Sequence, residues 1–564
     1  MAIRTRFNWA EALQLGVIAA VVALSLCLIG MVETFDDRDI IGGVLSLGQI
    51  LLFGPAVLAG YVSAQRNRHA SLWAKLLGGL VIGVLSALPL VVLVFVAVPL
   101  NLRDFLPNVS PALLELLTFG QGQVVGSVIL LAVSAGVGVT GVGINLLPER
   151  ARRPLLVGLT VVFLIGLLSE IIILAWGTKG LGLKIRRFMF AAKGLSVQGA
   201  ILVFVIAAGL NAVWSSQRDR VQGRVSTLPA RQQQTLHWAR TALGILVLLI
   251  LPFILRTYLT EVINNVGLFI LMGFGLNIVV GFAGLLDLGY VAFFAIGAYT
   301  MGVLTSDGEL GRVGLTFWAA VPFAVLASTM AGFILGIPVL RMRGDYLAIV
   351  TLGFGEIIRI LALSDFLAPF IGGAQGILKI PKASIGNFEF VKPESLYYII
   401  LIGCAIAAFV SWRLRDARLG RQWMAMREDE DVAEAMGIDL VQTKLLAFAM
   451  GAAFAGLSGA IFATKLGSVF PHSFNLLISI NVLSLIILGG IGSLPGVVVG
   501  ALILVGLPEL LREFAEYRML MYGALLIVMM LARPEGFWPE ATRKRELHAA
   551  EPGFDLETEA APSD

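Results

Sequence analysis

Few residues in this chain are placed to do covalent chemistry. Its cysteines, Cys27 and Cys404, each sit inside an apolar run, so neither a disulfide nor a metal site is expected. The deep apolar segments hold isolated carboxylates, Glu170 and Glu356, without a His/Asp/Glu cluster or a nucleophile beside a base. No GxxxxGK[ST] loop occurs, so the chain cannot cradle nucleotide phosphates in that way, and ATP-driven work would need an ATPase on another polypeptide. No catalytic residue, cofactor or metal is therefore expected. What remains is charge and polarity in unusual places. Glu356 and Arg359 lie three residues apart in an apolar stretch, a spacing that lets side chains on one helix meet. Unpaired charge at such depth is costly, so the pair either ties two helices together or faces a translocation path. Asn264, Asn265, Asn277 and Asn481 suit helix–helix hydrogen bonding or solute contact. Tyr290 and Tyr299 join Asn277, Glu356, Arg359 and Asn481 as candidates to line a path, whereas Asp287 and Asp345 fit capping or interfacial positions.

Residues so placed need elements immersed in lipid. The chain has 564 residues, 58% hydrophobic and 14% charged, with a mean hydropathy of +0.90, far outside the range of soluble domains. Apolar runs of about 20 residues, enough to cross a hydrocarbon core, recur along it. In the first part they lie near 11–31, 40–63, 76–100, 122–147, 154–176 and 196–214. The first of these reads as a retained anchor, with no A-x-A-type cleavage site behind it. Further runs lie near 237–256, 260–280, 286–304, 314–340, 346–366, 397–412, 443–464, 477–490, 497–511 and 519–531. The net charge of +4 reflects Lys and Arg held in cytoplasmic loops rather than nucleic-acid binding.

Basic loops also orient the second part. Arg341 and Arg343, the loop with Arg413, Arg415, Arg418, Arg421 and Arg427, and the tail with Arg533, Arg543, Lys544 and Arg545 all fall on the cytoplasmic side. The loop over 371–396 falls outside. In the first part "KGLGLKIRRFMFAAKG" falls outside against the rule, so either 196–214 does not cross or this stretch is an amphipathic interfacial helix.

Glycines and small polar residues punctuate "NNVGLFILMGFGLNIVVGFAGLLDLGYVAFFAIGAYTMGVL", freeing backbone groups that a membrane tolerates only along a cavity or beside other partners. Gly451, Ala455 and Gly459 give 443–464 a smooth packing face, and "GGIGSLPG" is either a hairpin turn or a helix break. Between Arg413 and Lys444, "MREDEDVAEAMGID" reads as a short cytoplasmic helix ended by Gly437.

The glycine-punctuated stretch, "GIPVLRMRGDYLAIVTLGFGEIIRIL", "RLGRQWMAMREDEDVAEAMGIDLVQTKLLAFAMGAAFAGLSGAIFA" and "LGGIGSLPGVVVGALI", in this order, resemble the LivM-type permeases of branched-chain amino acid ABC importers, a family that also handles urea and short amides. The likeness covers about 239–539. It implies an all-α, polytopic transmembrane helix bundle of the ABC importer permease type, in the bacterial inner membrane, performing no covalent chemistry itself. It implies as partners a LivH-type permease in a heterodimer, two cytoplasmic ABC ATPase subunits and a periplasmic solute-binding protein, besides membrane lipid and with no nucleic acid. It places the ATPase-coupling helix in the Arg413–Lys444 loop, with Arg427, Glu428, Asp429 and Glu430 as polar rim and Ala433, Met436 and Gly437 as contact face. On this reading residues 1–214 form an N-terminal transmembrane extension, 215–236 a cytoplasmic connector, 237–540 the permease domain and 541–564 a polar cytoplasmic tail. The resemblance implies amino acids as solute, branched-chain ones foremost, with urea or short amides as the alternative; "IGGAQGI", where relatives commonly carry "TGGPNGI", weakens the branched-chain assignment but not the transporter class, and an ion-coupled carrier would need more deep carboxylates or histidines than the spans hold.

Overall fold

The computed structural model describes residues 7–175, 181–191, 193–226, 230–339, 342, 344–510, 517–533 and 535–539. Arg341, Arg343 and the tail over 541–564 lie outside the described residues. The protein is all-α and polytopic: among the described residues 11 helices are long and apolar enough to cross a membrane, and strands are confined to short hairpins such as Asp39–Ile41 with Leu45–Ser46. The chain divides into two compact units, Met1–Thr241 and Ala242–Asp564.

In the first unit α1 (Trp9–Leu28), α2 (Leu47–Arg66), α3 (Leu72–Ala97) and α4 (Gln123–Leu146) pack together, and α5 (Glu149–Leu167) pairs with α6 (Val197–Ser226). Polar residues set their starts. Asn8 accepts a hydrogen bond from the Glu11 amide, and Ser46 forms a reciprocal capping box with Gln49, supplying partners that a helix N-terminus lacks. Small residues set the spacing: a Cβ at Gly138 would lie 2.2 Å from the Gly79 carbonyl oxygen, so α3 and α4 touch backbone to backbone. The basic stretch that broke the orientation rule contains an amphipathic helix, Leu181–Met189, while Val197–Trp214 is apolar and long enough to span.

The second unit begins inside α7 (Ala230–Leu276), which continues as one turn of π-helix over Asn277–Phe282. It then holds α8 (Val291–Thr305), α9 (Phe317–Val339), α10 (Asp345–Leu363), α11 (Pro393–Asp416), the short α12 (Arg418–Glu428) and α13 (Glu430–Ala435), and α14 (Leu440–Leu466). α15 (Leu476–Gly489), α16 (Leu494–Ala501) and α17 (Arg518–Ala532) complete it. α14 is the axis of this unit, and α8 and α9 pack along it. Its smooth face permits the approach: a Cβ at Gly459 would lie 2.0 Å from the Phe294 carbonyl oxygen, and one at Gly297 would lie 2.3 Å from that of Gly456.

One expected element is replaced. The runs expected separately near 237–256 and 260–280 belong to a single continuous helix of 47 residues. Pro252 lies inside it, and no glycine stands between Pro252 and Gly267 to release the chain into a turn. Orientation of the second unit accordingly rests on its own loops: the arginines between α11 and α14 mark the cytoplasmic side, which puts the C-terminus of α14 and the loop over 371–396 outside. The run expected over 497–511 is also interrupted, by a second π-helical turn at Leu502–Gly506.

Candidate functional site: a broken helix and a cytoplasmic foot

Between α7 and α8 the chain leaves helical geometry at the cytoplasmic end of the bundle. The π turn at Asn277–Phe282 is followed by Gly284 at φ +71° and an irregular stretch up to Tyr290. A π turn shifts its hydrogen bonds by one residue and leaves backbone groups for other partners. Each partner here comes from a different element. The Gly492 amide donates to Asn277 Oδ1 at 2.9 Å, tying in the turn between α15 and α16. The Leu288 amide donates to Thr351 Oγ1 on α10 at 3.0 Å, and the Val291 amide, at the start of α8, donates to Ser479 Oγ on α15 at 2.9 Å. Tyr290, fully buried, donates its hydroxyl to the Gly451 carbonyl on α14 at 2.8 Å. Asp287 is also fully buried: Oδ1 accepts from the Gly289 amide at 2.8 Å, a local turn ahead of α8 rather than a helix cap, while Oδ2 has no hydrogen-bond partner among the described residues. Glycine is required at 281, because a Cβ there would meet Asn277 Oδ1 at 2.3 Å and the Gly492 amide at 2.9 Å.

Against this broken segment stands a foot made of α12 and α13. Asp429, in extended conformation, separates them and caps α13 by accepting from the amides of Asp431 and Val432 at 2.9 and 3.0 Å. Gly437, at φ +86°, ends α13 in the left-handed conformation. The foot is fixed to α14 at two points. Buried Trp423 donates from Nε1 to the Thr443 carbonyl at 2.8 Å, and Lys444, its side chain 3% exposed, pairs with Glu430 at 2.9 Å.

The expected rim and contact face are therefore divided. Glu428 faces solvent, Asp429 caps, Glu430 is committed to Lys444, and Ala433 is buried against the core at 3% exposure. Arg427 turns into the bundle: Nη1 donates to the Gly281 carbonyl at 2.8 Å, and Nη2 pairs with Glu428 at 2.9 Å. The large apolar side chains that α13 and its C-cap residue present outward are Val432, 59% exposed, and Met436, 79% exposed. Val432 was missed by sequence reasoning, although its i,i+4 spacing to Met436 is the signal that finds it.

Of the path candidates, Asn277 and Tyr290 belong to the broken segment, whereas Tyr299 lies further along α8. Tyr299 is buried with an unpartnered hydroxyl and lines a cavity of about 340 Å³ between α8 and α10, walled by Ile296, Val303, Leu304, Ile358 and Leu361. Asn481 is half-buried on α15 and takes no part in these hydrogen bonds. Glu356 and Arg359 pair with each other, Arg359 Nε donating to both Glu356 oxygens at 3.0 Å, with side chains 44% and 29% exposed on a face of α10 shared with Ile349, Ile357 and Ile360. Among the described residues they do not join α10 to a second helix.

A further polar cluster, unforeseen because its members are far apart in sequence, closes the outer end of the bundle. Lys465, at the end of α14, pairs with Glu261 of α7 at 2.8 Å and donates to Asn265. Lys382, from the outer loop, donates to the last carbonyls of α14, Thr464 at 3.2 Å and Lys465 at 2.5 Å. Burial holds its ammonium below the ordinary lysine pKa, opposed by the nearby Glu261 carboxylate. Asn264 donates to the Pro393 carbonyl at 3.0 Å, a contact between helices.

A bundle of helices long and apolar enough to span, one of them broken, is the architecture of a polytopic membrane protein. Residues 258–530 match the family described as branched-chain amino acid transport system, permease component. The chain is 38% identical over 377 residues to the high-affinity branched-chain amino acid transport system permease protein LivM of Salmonella typhimurium, covering 63% of this chain and 87% of that protein. It is 41% identical over 343 residues to LivM of Escherichia coli, covering 57% of this chain and 79% of that protein. It is also 25% identical over 303 residues to the LivH permease protein of Escherichia coli, covering 50% of this chain and 94% of that protein. No solved structure matches. The chain belongs to the family of branched-chain amino acid transport system permease components, and is a multi-pass permease subunit of the bacterial inner membrane.

Proposed function

We propose that this permease forms one half of a heterodimeric conduit with a LivH-type subunit and imports branched-chain amino acids by alternating access. Separate ATPase subunits drive it through the foot formed by α12 and α13. A periplasmic solute-binding protein delivers solute to the outer face, where the loop over 371–396 and the cluster of Glu261, Lys382 and Lys465 lie. The observation that carries this reading is the foot: on the arginine-marked side, α13 offers Val432 and Met436 as an apolar knob of the size that helix-in-groove docking uses. The Glu356–Arg359 pair supports the conduit, because charge half-exposed among isoleucines of a spanning helix is costly against lipid and suits a partner subunit or an aqueous path. The solute class follows the printed names of the relatives.

Docking is tested by replacing Val432 and Met436 together with glutamate. Membrane insertion should persist while the ATPase subunits no longer co-purify; intact co-purification would remove the docking assignment. Competition of labelled leucine uptake by unlabelled urea and acetamide tests the solute, and inhibition by urea or acetamide but not by isoleucine would shift it to the amides.

A further inference from the structure

The foot does more than present a docking knob. Arg427, next to last in α12, reaches a segment of the bundle whose helical hydrogen bonding is interrupted beside it. The guanidinium donates to the Gly281 carbonyl at 2.8 Å, inside the π turn. The stem is gripped as well: Gly284, held at φ +71°, packs so closely that a Cβ there would lie 2.6 Å from Arg427 Cγ and 3.1 Å from its Cβ. Head and stem thus clasp both sides of the bend between the π turn and the stretch leading to α8.

Holding the foot in place does not require this clasp. Trp423 on the Thr443 carbonyl and Glu430 on Lys444 already bind α12 and α13 to α14. The Arg427 contact is the bond by which the foot reaches the broken segment instead of the axis helix. From there the hydrogen bonds run on, through Leu288 to Thr351 of α10 and through Val291 to Ser479 of α15. α10 is also the helix that carries the half-exposed Glu356–Arg359 pair. The Gly492 amide on Asn277 adds the turn between α15 and α16 to the same segment.

We infer that Arg427 is a positioning residue for transport: it transmits movement of the foot to the π turn and the bend at Gly284, and so links the ATPase cycle to the opening of the conduit. The inference rests on the docking reading above and goes beyond it by naming the transmitting contact. A displacement of the foot pulls on the Gly281 carbonyl through a charge-assisted bond, and the π turn is the place in the helix where a carbonyl can follow at least cost. Glu428, on the Arg427 guanidinium at 2.9 Å, orients the donor.

The test uses the complete importer, with its second permease and ATPases, in proteoliposomes with labelled leucine. The variants are Arg427→Met, Arg427→Lys and Gly284→Ala, the last of which displaces the arginine stem. ATPase co-purification reports docking, and leucine moved per ATP hydrolysed reports transmission. Arg427→Met is expected to retain the ATPases and their hydrolysis while leucine moved per ATP falls about tenfold, a coupling loss of ordinary size. Gly284→Ala should shift the ratio the same way, and Arg427→Lys, which keeps one donor for the Gly281 carbonyl, should recover much of it. A wild-type ratio in Arg427→Met overturns the inference. So does loss of the ATPases from Arg427→Met and Arg427→Lys alike, which would make Arg427 a docking residue and leave the docking reading standing. Failure of the ATPases to associate with the wild-type foot would instead remove the docking reading itself.

Discussion

Lys444 shows how a charge is made tolerable inside a membrane permease. Its side chain is almost fully buried, and its partner, Glu430, is held 2.9 Å away by the start of α13. Removing one member of such a pair strands the other, so Lys444→Met should destabilise the protein by about 3 kcal/mol, read as a lowered unfolding midpoint in detergent. Adding Glu430→Gln should restore part of the loss; additive losses would mean that the two are not coupled. Gly289 is a stricter case. A Cβ there would lie 1.8 Å from the Thr351 carbonyl oxygen, backbone against backbone, so Gly289→Ala should abolish accumulation of folded protein in the membrane, and normal accumulation would contradict the packing. At this scale the sequence reveals types more readily than directions. The cap at Gly437 was legible because a glycine after a short helical run has one common use. Which of Val432 and Ala433 faces outward was not, since both are apolar and the choice depends on how little room α14 leaves, which admits only the smaller one.

The helices themselves were largely legible, because runs of about 20 apolar residues have few alternatives in lipid. Interruptions were less so. The glycine-rich stretch around 281–289 announced a break, but the π turn at Asn277–Phe282 and the clasp by Arg427 depend on residues more than a hundred positions away. The division expected within α7 failed for the opposite reason: apolar runs separated by Arg256 and Thr257 look divided, yet nothing there ends a helix. α10 carries the next prediction. Gly353, on the face shared with Glu356 and Ile357, has open space where a Cβ would go. Gly353→Leu should therefore change the stability of the isolated chain by less than about 0.5 kcal/mol while weakening co-purification of the second permease subunit. Unchanged association would show that this face meets something else.

Across the whole molecule, the family match over 258–530 lies within the second unit. The residues on which an importer's cycle would turn sit at opposite ends of the second unit: Glu261, Lys382 and Lys465 outside, and the foot with its clasp on the broken segment inside. The chain lacks a GxxxxGK[ST] loop, so on the proposed reading its work against a gradient is done with energy received through α12 and α13. The most direct measurement of that claim is accumulation of labelled leucine in vesicles bearing either this chain with its second permease alone or the complete importer, with and without internal ATP and with binding protein present. The account predicts concentrative uptake only for the complete importer supplied with ATP. Accumulation against a gradient by the permeases without an ATPase would contradict it.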